Sequence, residues 1–118
     1  MTALADRNIE PLSKESKSPS TEEIKELLNE IPSWTVNYSG EGKFYYLERK
    51  FRCSAYPAVV SFHHQVAELA ETVQHHPEMT TEYHFLTVKW WSHSVGGLHL
   101  NDFIMAAKCE KIYDLIDL

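Results

Sequence analysis

The chain has 118 residues, of which 43% are hydrophobic and 24% are charged, and its formal net charge is −6. This length and composition suit one globular domain and exclude a wholly disordered, collagen-like or disulfide-stapled chain. The negative charge argues against a nucleic-acid-binding protein held by phosphate contacts. Histidine is the unusual component, because all seven histidines fall within residues 63–99.

The sequence shows no apolar run typical of a signal peptide or a membrane span. Cys53 and Cys109 lie far apart and lack the spacing of a metal site, so we interpret them as two buried or half-buried thiols. A reducing compartment suits such thiols. We therefore expect a cytoplasmic protein, with the nucleus as a second location.

The first twenty residues are polar and show no hydrophobic periodicity. This composition is typical of a flexible segment, so we predict an N-terminal tail at residues 1–20. Residues 21–118 are then predicted to form a single domain.

The first predicted helix begins with a capping box, in which Ser20 is the N-cap and Glu23 reaches back to it. Apolar residues follow at helical spacing, and Pro32 ends the helix. Two strands are predicted next, at Trp34–Tyr38 and Phe44–Phe51, and a glycine-containing turn joins them into a hairpin.

A second helix is predicted to begin at Pro57 and to end near Gln74. A second hairpin follows, with strands at residues 80–83 and 86–92, and a last helix occupies residues 100–115. The order is therefore α-β-β-α-β-β-α. This order predicts an α+β fold, with a four-stranded antiparallel sheet and helices packed on one of its faces.

A cluster of imidazoles and carboxylates lies at the ends of these elements. Glu71 precedes His75 by one helical turn, so a continuous helix would place both on the same side. His76 follows directly, His93 ends a strand and Asp102 lies in the first turn of the last helix. Because imidazole titrates near neutral pH, a convergence of these residues would suit proton transfer.

Two other interpretations of the cluster remain open. A histidine at a helix end is often only a cap, and several histidines with carboxylates could bind zinc. His63 and His64 lie about three helical turns before His75, and we expect them to point away from it. We predict no metal site.

The pattern resembles the pterin-4a-carbinolamine dehydratases, which are also known as dimerisation cofactors of a homeodomain transcription factor. The motif runs in order through Glu71-x-x-x-His75-His76-Pro77, Tyr83, His93, Gly97-Leu98 and Asp102. Further matching positions are Trp34, Leu47, Phe51, Tyr56, Phe62, Val66 and Ala67. The resemblance covers about residues 21–116.

The resemblance implies the predicted fold and dehydration of 4a-hydroxytetrahydropterin to quinonoid dihydropterin, in the recycling of tetrahydrobiopterin. It implies no metal and no cofactor, since the pterin is the substrate. The implied assembly is a homodimer or homotetramer. A transcription factor or a hydroxylase would be a protein partner, with no direct contact to nucleic acid or membrane.

Site residues follow from the resemblance by position. The catalytic residues would be His75, His76, His93 and Asp102. The substrate-binding residues would be Glu71, Gln74, Pro77, Trp91, Ser92 and Ser94.

The implied reaction needs a general acid for the leaving hydroxide and a general base for the proton on N5. We assign these steps to His75 and His93, while His76 would hold the pterin. Asp102 would orient an imidazole. The sequence leaves open which histidine is the acid and which is the base.

The chain departs from the family pattern at four positions. Met79 stands where a tryptophan is usual, and Trp90 and Trp91 stand where smaller residues are usual. His99 replaces a serine or threonine helix cap. The competing function is a non-catalytic dimerisation cofactor on the same fold, since a fold does not determine a function.

Overall fold

A computed structural model describes residues 2–116. Its helices and strands are α1 (Thr21–Leu28), β1 (Thr35–Ser39), β2 (Phe44–Arg52), α2 (Tyr56–Val73), β3 (Glu78–Thr81), β4 (Phe85–Trp90) and α3 (Leu100–Ile116). Short 3-10 turns occupy Leu4–Asp6 and His93–Val95. The predicted element order and α+β class are confirmed.

The strands form one antiparallel sheet in the order β1-β2-β4-β3. Alternate residues of the two central strands point to the helix-covered face and are fully buried there. These residues are Leu47, Phe51, Leu86, Val88 and Trp90. They pack with apolar residues of α2 and α3 in one hydrophobic core, so the prediction that helices cover one face is confirmed.

The second hairpin begins and turns earlier in the chain than the sequence predicts. β3 already starts at Glu78, because Glu78 pairs with Lys89 across β4. Residues 82–84 make the turn, in which the Glu82 N–H donates to the Phe85 carbonyl at 2.8 Å. Pairing with a neighbouring strand therefore sets this boundary, and a single-sequence pattern does not report such pairing.

Local signals at helix ends act as the sequence predicts. Ser20 Oγ accepts the Glu23 N–H at 3.2 Å, and Glu23 Oε1 accepts the Ser20 N–H at 2.8 Å. This reciprocal pair is the capping box of α1. Pro57 lies in the first turn of α2, where its missing N–H costs no hydrogen bond.

Arg49 is a polar residue on the core face of β2, between the buried Leu47 and Phe51. Its guanidinium donates to Glu110 Oε1 of α3 at 2.8 Å and lies 4.2 Å above the Phe51 ring. Burial raises the pKa of Glu110 above its ordinary value, although the charge of Arg49 acts in the opposite direction. The ion pair thus joins α3 to the sheet.

Part of the segment predicted as a flexible tail, residues 1–20, packs against the rest of the chain. Leu4 is 1% exposed and belongs to the hydrophobic core, although Thr2, Ala3 and Asp6 around it are exposed. A single buried leucine makes no hydrophobic periodicity, so the sequence pattern does not report this docking. No helix within residues 2–116 is long and apolar enough to cross a membrane.

Candidate active site

The end of α2 directs two neighbouring histidines to different environments. Gln74 adopts a left-handed conformation, with φ 56° and ψ 43°, and so terminates the helix after Val73. The His75 N–H still donates to the Ala70 carbonyl at 3.1 Å. His75 is buried and His76 is exposed, so only His75 reaches the interior.

Asp102 lies in the first turn of α3 and is completely buried. Its Oδ1 accepts a hydrogen bond from His75 Nε2 at 2.7 Å. Its Oδ2 accepts from the Ser92 hydroxyl and from the His99 backbone N–H, each at 2.9 Å. All three partners are donors, so both oxygens of the carboxylate act as acceptors.

This arrangement determines the tautomer of His75. A carboxylate can only accept hydrogen bonds, so the proton of neutral His75 resides on Nε2 and the lone pair on Nδ1. The imidazole also stacks on the indole of Trp90, with centroids 5.5 Å apart and an angle of 11° between the planes. Asp102 and Trp90 therefore hold the ring in one orientation.

Glu71 pairs with His76, because the continuous helix that would place Glu71 and His75 on the same side ends before His75. Glu71 Oε1 lies 2.8 Å from His76 Nε2, and both side chains are exposed. The reason is the left-handed Gln74, which ends the helix and turns His75 inward. The hydrogen bond from His76 lowers the pKa of Glu71 below its ordinary value.

His93 lies beside an aromatic cleft next to the open face of the sheet. Its ring meets Trp91 edge-on at 5.3 Å between centroids, and Trp91 packs on Phe44 at 4.7 Å. The cleft has a volume of about 370 Å³. Its lining residues are Gly42, Lys43, Phe44, Trp91, His93 and Gly96.

The predicted site residues thus fall into three local groups. One is the buried set of His75, Ser92 and Asp102, another is the exposed Glu71–His76 pair, and the third contains Trp91 and His93. Ser92 is a predicted substrate-binding residue, and its hydroxyl donates a hydrogen bond to Asp102.

The remaining predicted residues lie near these groups with simpler roles. The Gln74 side-chain amide donates to the Glu71 carbonyl at 2.7 Å. Pro77 is half-buried and Ser94 is exposed. Their assignment to substrate binding stays a prediction.

Three residues that shape the observed site were not among the predicted site residues. They are Trp90, Phe44 and His99. Trp90 is buried in the core, and its ring supports His75 by stacking on the imidazole. Phe44 comes from the start of another strand and has no motif of its own. His99 is a working helix cap, since its Nδ1 accepts the Asn101 N–H at 3.0 Å.

Among residues 2–116, no three or more histidine, cysteine, aspartate or glutamate side chains are grouped as metal ligands.

Comparison with known proteins agrees with the motif. The family model of pterin 4 alpha carbinolamine dehydratase matches residues 17–112. A Microcystis aeruginosa protein named for pterin-4-alpha-carbinolamine dehydratase is 40% identical over 114 residues, which is 96% of each chain. A Chlorobaculum tepidum protein with the same name is 39% identical over 113 residues, covering 95% of this chain and 99% of that protein.

A solved structure shares the fold. The crystal structure of a transcriptional coactivator/pterin dehydratase from Brucella melitensis has a TM-score of 0.72 at 27% identity. The match covers 80% of this chain and 97% of that chain. The family match spans most of this chain and the relatives are aligned along almost their full length, so this chain belongs to the pterin-4-alpha-carbinolamine dehydratases, a family of hydro-lyases.

Proposed function

We propose that the protein dehydrates 4a-hydroxytetrahydropterin to quinonoid dihydropterin by histidine acid–base catalysis. The bond between C4a and the hydroxyl oxygen breaks, N5 loses its proton, and a C4a=N5 double bond forms as water leaves. The reaction is redox-neutral and consumes the pterin as substrate. It requires one group that donates a proton to the leaving hydroxyl and one that accepts the N5 proton.

The observation that carries the proposal is the hydrogen bond between Asp102 and His75. Because Asp102 holds the Nε2 proton, Nδ1 of His75 is the nitrogen that can accept a proton. The imidazolium that forms is stabilised by the adjacent carboxylate. We therefore assign His75 as the base for the N5 proton.

His93 is the acid in this proposal, and the pterin ring lies against the aromatic cleft. The cleft offers the faces of Trp91 and Phe44, and flat heterocycles stack well on such faces. Ser92 joins this part of the chain to Asp102, because it precedes His93 and donates to the carboxylate. The exposed Glu71–His76 pair supplies polar contacts to the pterin.

A dehydration assay with chemically prepared 4a-hydroxytetrahydropterin tests the proposal. The double variant His75→Ala with His93→Ala is expected to lose the enzymatic rate, since it removes both proton-transfer groups. His64→Ala is the matched control, because His64 is exposed on α2 and pairs only with Glu68 in the described chain. Full activity in the double variant would contradict catalysis by these two histidines, whereas a wild-type rate no faster than the uncatalysed reaction would favour a binding protein without turnover.

A second candidate function is protein binding, and it rests on the name of the Brucella melitensis neighbour, which includes a transcriptional coactivator. Because the net charge of −6 disfavours direct contact with nucleic acid, we propose that any such role depends on a protein partner, either a transcription factor or a hydroxylase. The catalytic role would be the recycling of tetrahydrobiopterin in the cytoplasm, and the coactivator role would be nuclear.

We further propose a homodimer or homotetramer. β1 and β3 are the edge strands of the sheet, and a second copy that pairs with such an edge would satisfy its free backbone groups. Light scattering is expected to give two or four times 13.7 kDa. A mass of one chain at all concentrations would contradict the assembly.

A further inference from the structure

Residues 4–10 lie along α3, and we name them the N-terminal strap. Two contacts hold the start of the strap. Leu4 is buried in the core, and the Ala5 carbonyl accepts a hydrogen bond from Lys108 Nζ at 2.9 Å. Asp6 forms an exposed ion pair with Lys111 at 2.9 Å. The family model begins matching at residue 17, so the strap precedes the matched region.

The end of the strap is bound by the side chain of Asn101, which is 1% exposed. The Glu10 N–H donates to Asn101 Oδ1 at 2.9 Å, and Asn101 Nδ2 donates to the Glu10 carbonyl at 2.8 Å. The Asn101 amide thus binds both the backbone N–H and the backbone carbonyl of Glu10. Two such bonds determine orientation as well as distance.

Glu10 also faces the cap of α3. His99 is 4% exposed, and its Nε2 lies 3.4 Å from Glu10 Oε1. Since His99 Nδ1 accepts the Asn101 N–H, the proton of neutral His99 resides on Nε2 and points towards the Glu10 carboxylate. Glu10 therefore contacts both residues that begin the turn leading to Asp102.

The same turn positions the buried carboxylate. The His99 backbone N–H donates to Asp102 Oδ2, and Asp102 Oδ1 holds His75. The N–H groups of the first turn of a helix lack the acceptors four residues earlier that hold later turns, and the Asp102 N–H donates instead to the His99 carbonyl at 3.0 Å. Contacts from outside the helix consequently decide how firmly Asp102 is placed.

We propose that the strap is a positioning element of the active site, in which Glu10 acts through Asn101 and His99 to keep Asp102 aligned with His75. The inference rests on the proposed function for its catalytic consequence, because proton transfer depends on the orientation of His75. A displacement of about 1 Å in such a group can lower a rate by about a hundredfold. Asn101, His99 and Glu10 are accordingly positioning residues and do not themselves touch substrate.

The test combines kinetics with an observation of the hydrogen bond itself. Asn101→Ala removes both bonds to Glu10, and we expect kcat to fall about tenfold with KM within about twofold, as for a misaligned catalytic group. The Nε2–H signal of His75, identified in NMR spectra by its absence in His75→Gln, should broaden or vanish. His64→Ala is the control, because His64 is exposed on α2, outside the strap, and pairs with Glu68.

Two further variants separate positioning from simple loss of structure. Glu10→Pro removes the backbone N–H that donates to Asn101 Oδ1, and it replaces a side chain that is 58% exposed. It should reproduce the fall in kcat and the loss of the His75 signal if Asn101→Ala does not fold. His99→Ser retains an N-cap acceptor, so it should lose less activity than His99→Ala.

Wild-type kcat together with an unchanged His75 Nε2–H signal in Asn101→Ala and Glu10→Pro would overturn the proposal. If the wild-type protein does not dehydrate the pterin, the proposed function fails. In that case the NMR signal still decides whether the strap aligns His75 and Asp102.

Discussion

At the scale of single residues, Asp102 combines two roles that are usually separate. Its carboxylate accepts the His99 N–H at the start of α3, as the third residue of a capping box does, and it also orients His75. An acid early in a helix is favourable in itself. The family resemblance implies that Asp102 orients an imidazole. The left-handed Gln74 turns His75 inward, so His75 is the imidazole that Asp102 binds.

Asp102→Asn tests this role with almost no change in volume. The amide presents an N–H₂ group to partners that are all donors, so His75 loses its fixed tautomer and the charge that stabilises its protonated form. We expect kcat to fall by about a hundredfold or more. Asp114→Asn, at an exposed aspartate of the same helix, should match the wild type; equal rates for both variants would contradict the role of Asp102.

Cys109 gives a pH-dependent prediction about stability that does not depend on the proposed reaction. Burial raises the pKa of its thiol from 9.0 to about 12. Because the unfolded chain ionises first, stability is fully present below pH 9 and is lost as the pH rises towards 12. Cys109→Ala should remove this part of the decline, about 1.4 kcal/mol per pH unit, from urea unfolding curves at pH 9 to 11. Parallel declines in both proteins would contradict it.

At the scale of elements, the sequence predicts what depends on local patterns. The helices are predicted within a few residues of their observed bounds. The signals are the capping box, Pro32, Pro57 and the periodic apolar residues. The docking of the strap depends on Leu4, on the half-buried Ala5 and Ile9 that pack against the core, and on contacts to residues about ninety positions away, such as that from Glu10 to Asn101. No local pattern carries that information.

Leu4→Ala measures whether the strap is part of the folded domain. Leu4 is 1% exposed whereas Leu115 is 76% exposed, so Leu115→Ala is a matched control of the same chemistry. Leu4→Ala should lower the free energy of unfolding by about 2–5 kcal/mol, while the control should change it by less than about 0.5 kcal/mol. Equal and small effects in urea titrations would contradict docking of the strap.

At the scale of the whole molecule, the predicted hairpins join through β2 and β4 in the centre of the sheet. That pairing follows from tertiary packing and not from hairpin signals, so the strand order was not predicted. It brings β4 against α2 and α3, and the end of α2, the segment after β4 and the start of α3 then meet around Asp102. The sequence predicts that these three element ends converge. Which side chains pair with each other there, such as Asp102 with His75, is known only from the folded structure.

The central claim is that His75, held by Asp102, transfers a proton in the dehydration of a 4a-hydroxytetrahydropterin. The most direct measurement is kcat/KM for this substrate with wild-type protein, His75→Ala and the exposed control His64→Ala. The account predicts a loss of at least about a hundredfold in His75→Ala and wild-type activity in His64→Ala. Undiminished activity in His75→Ala would contradict it.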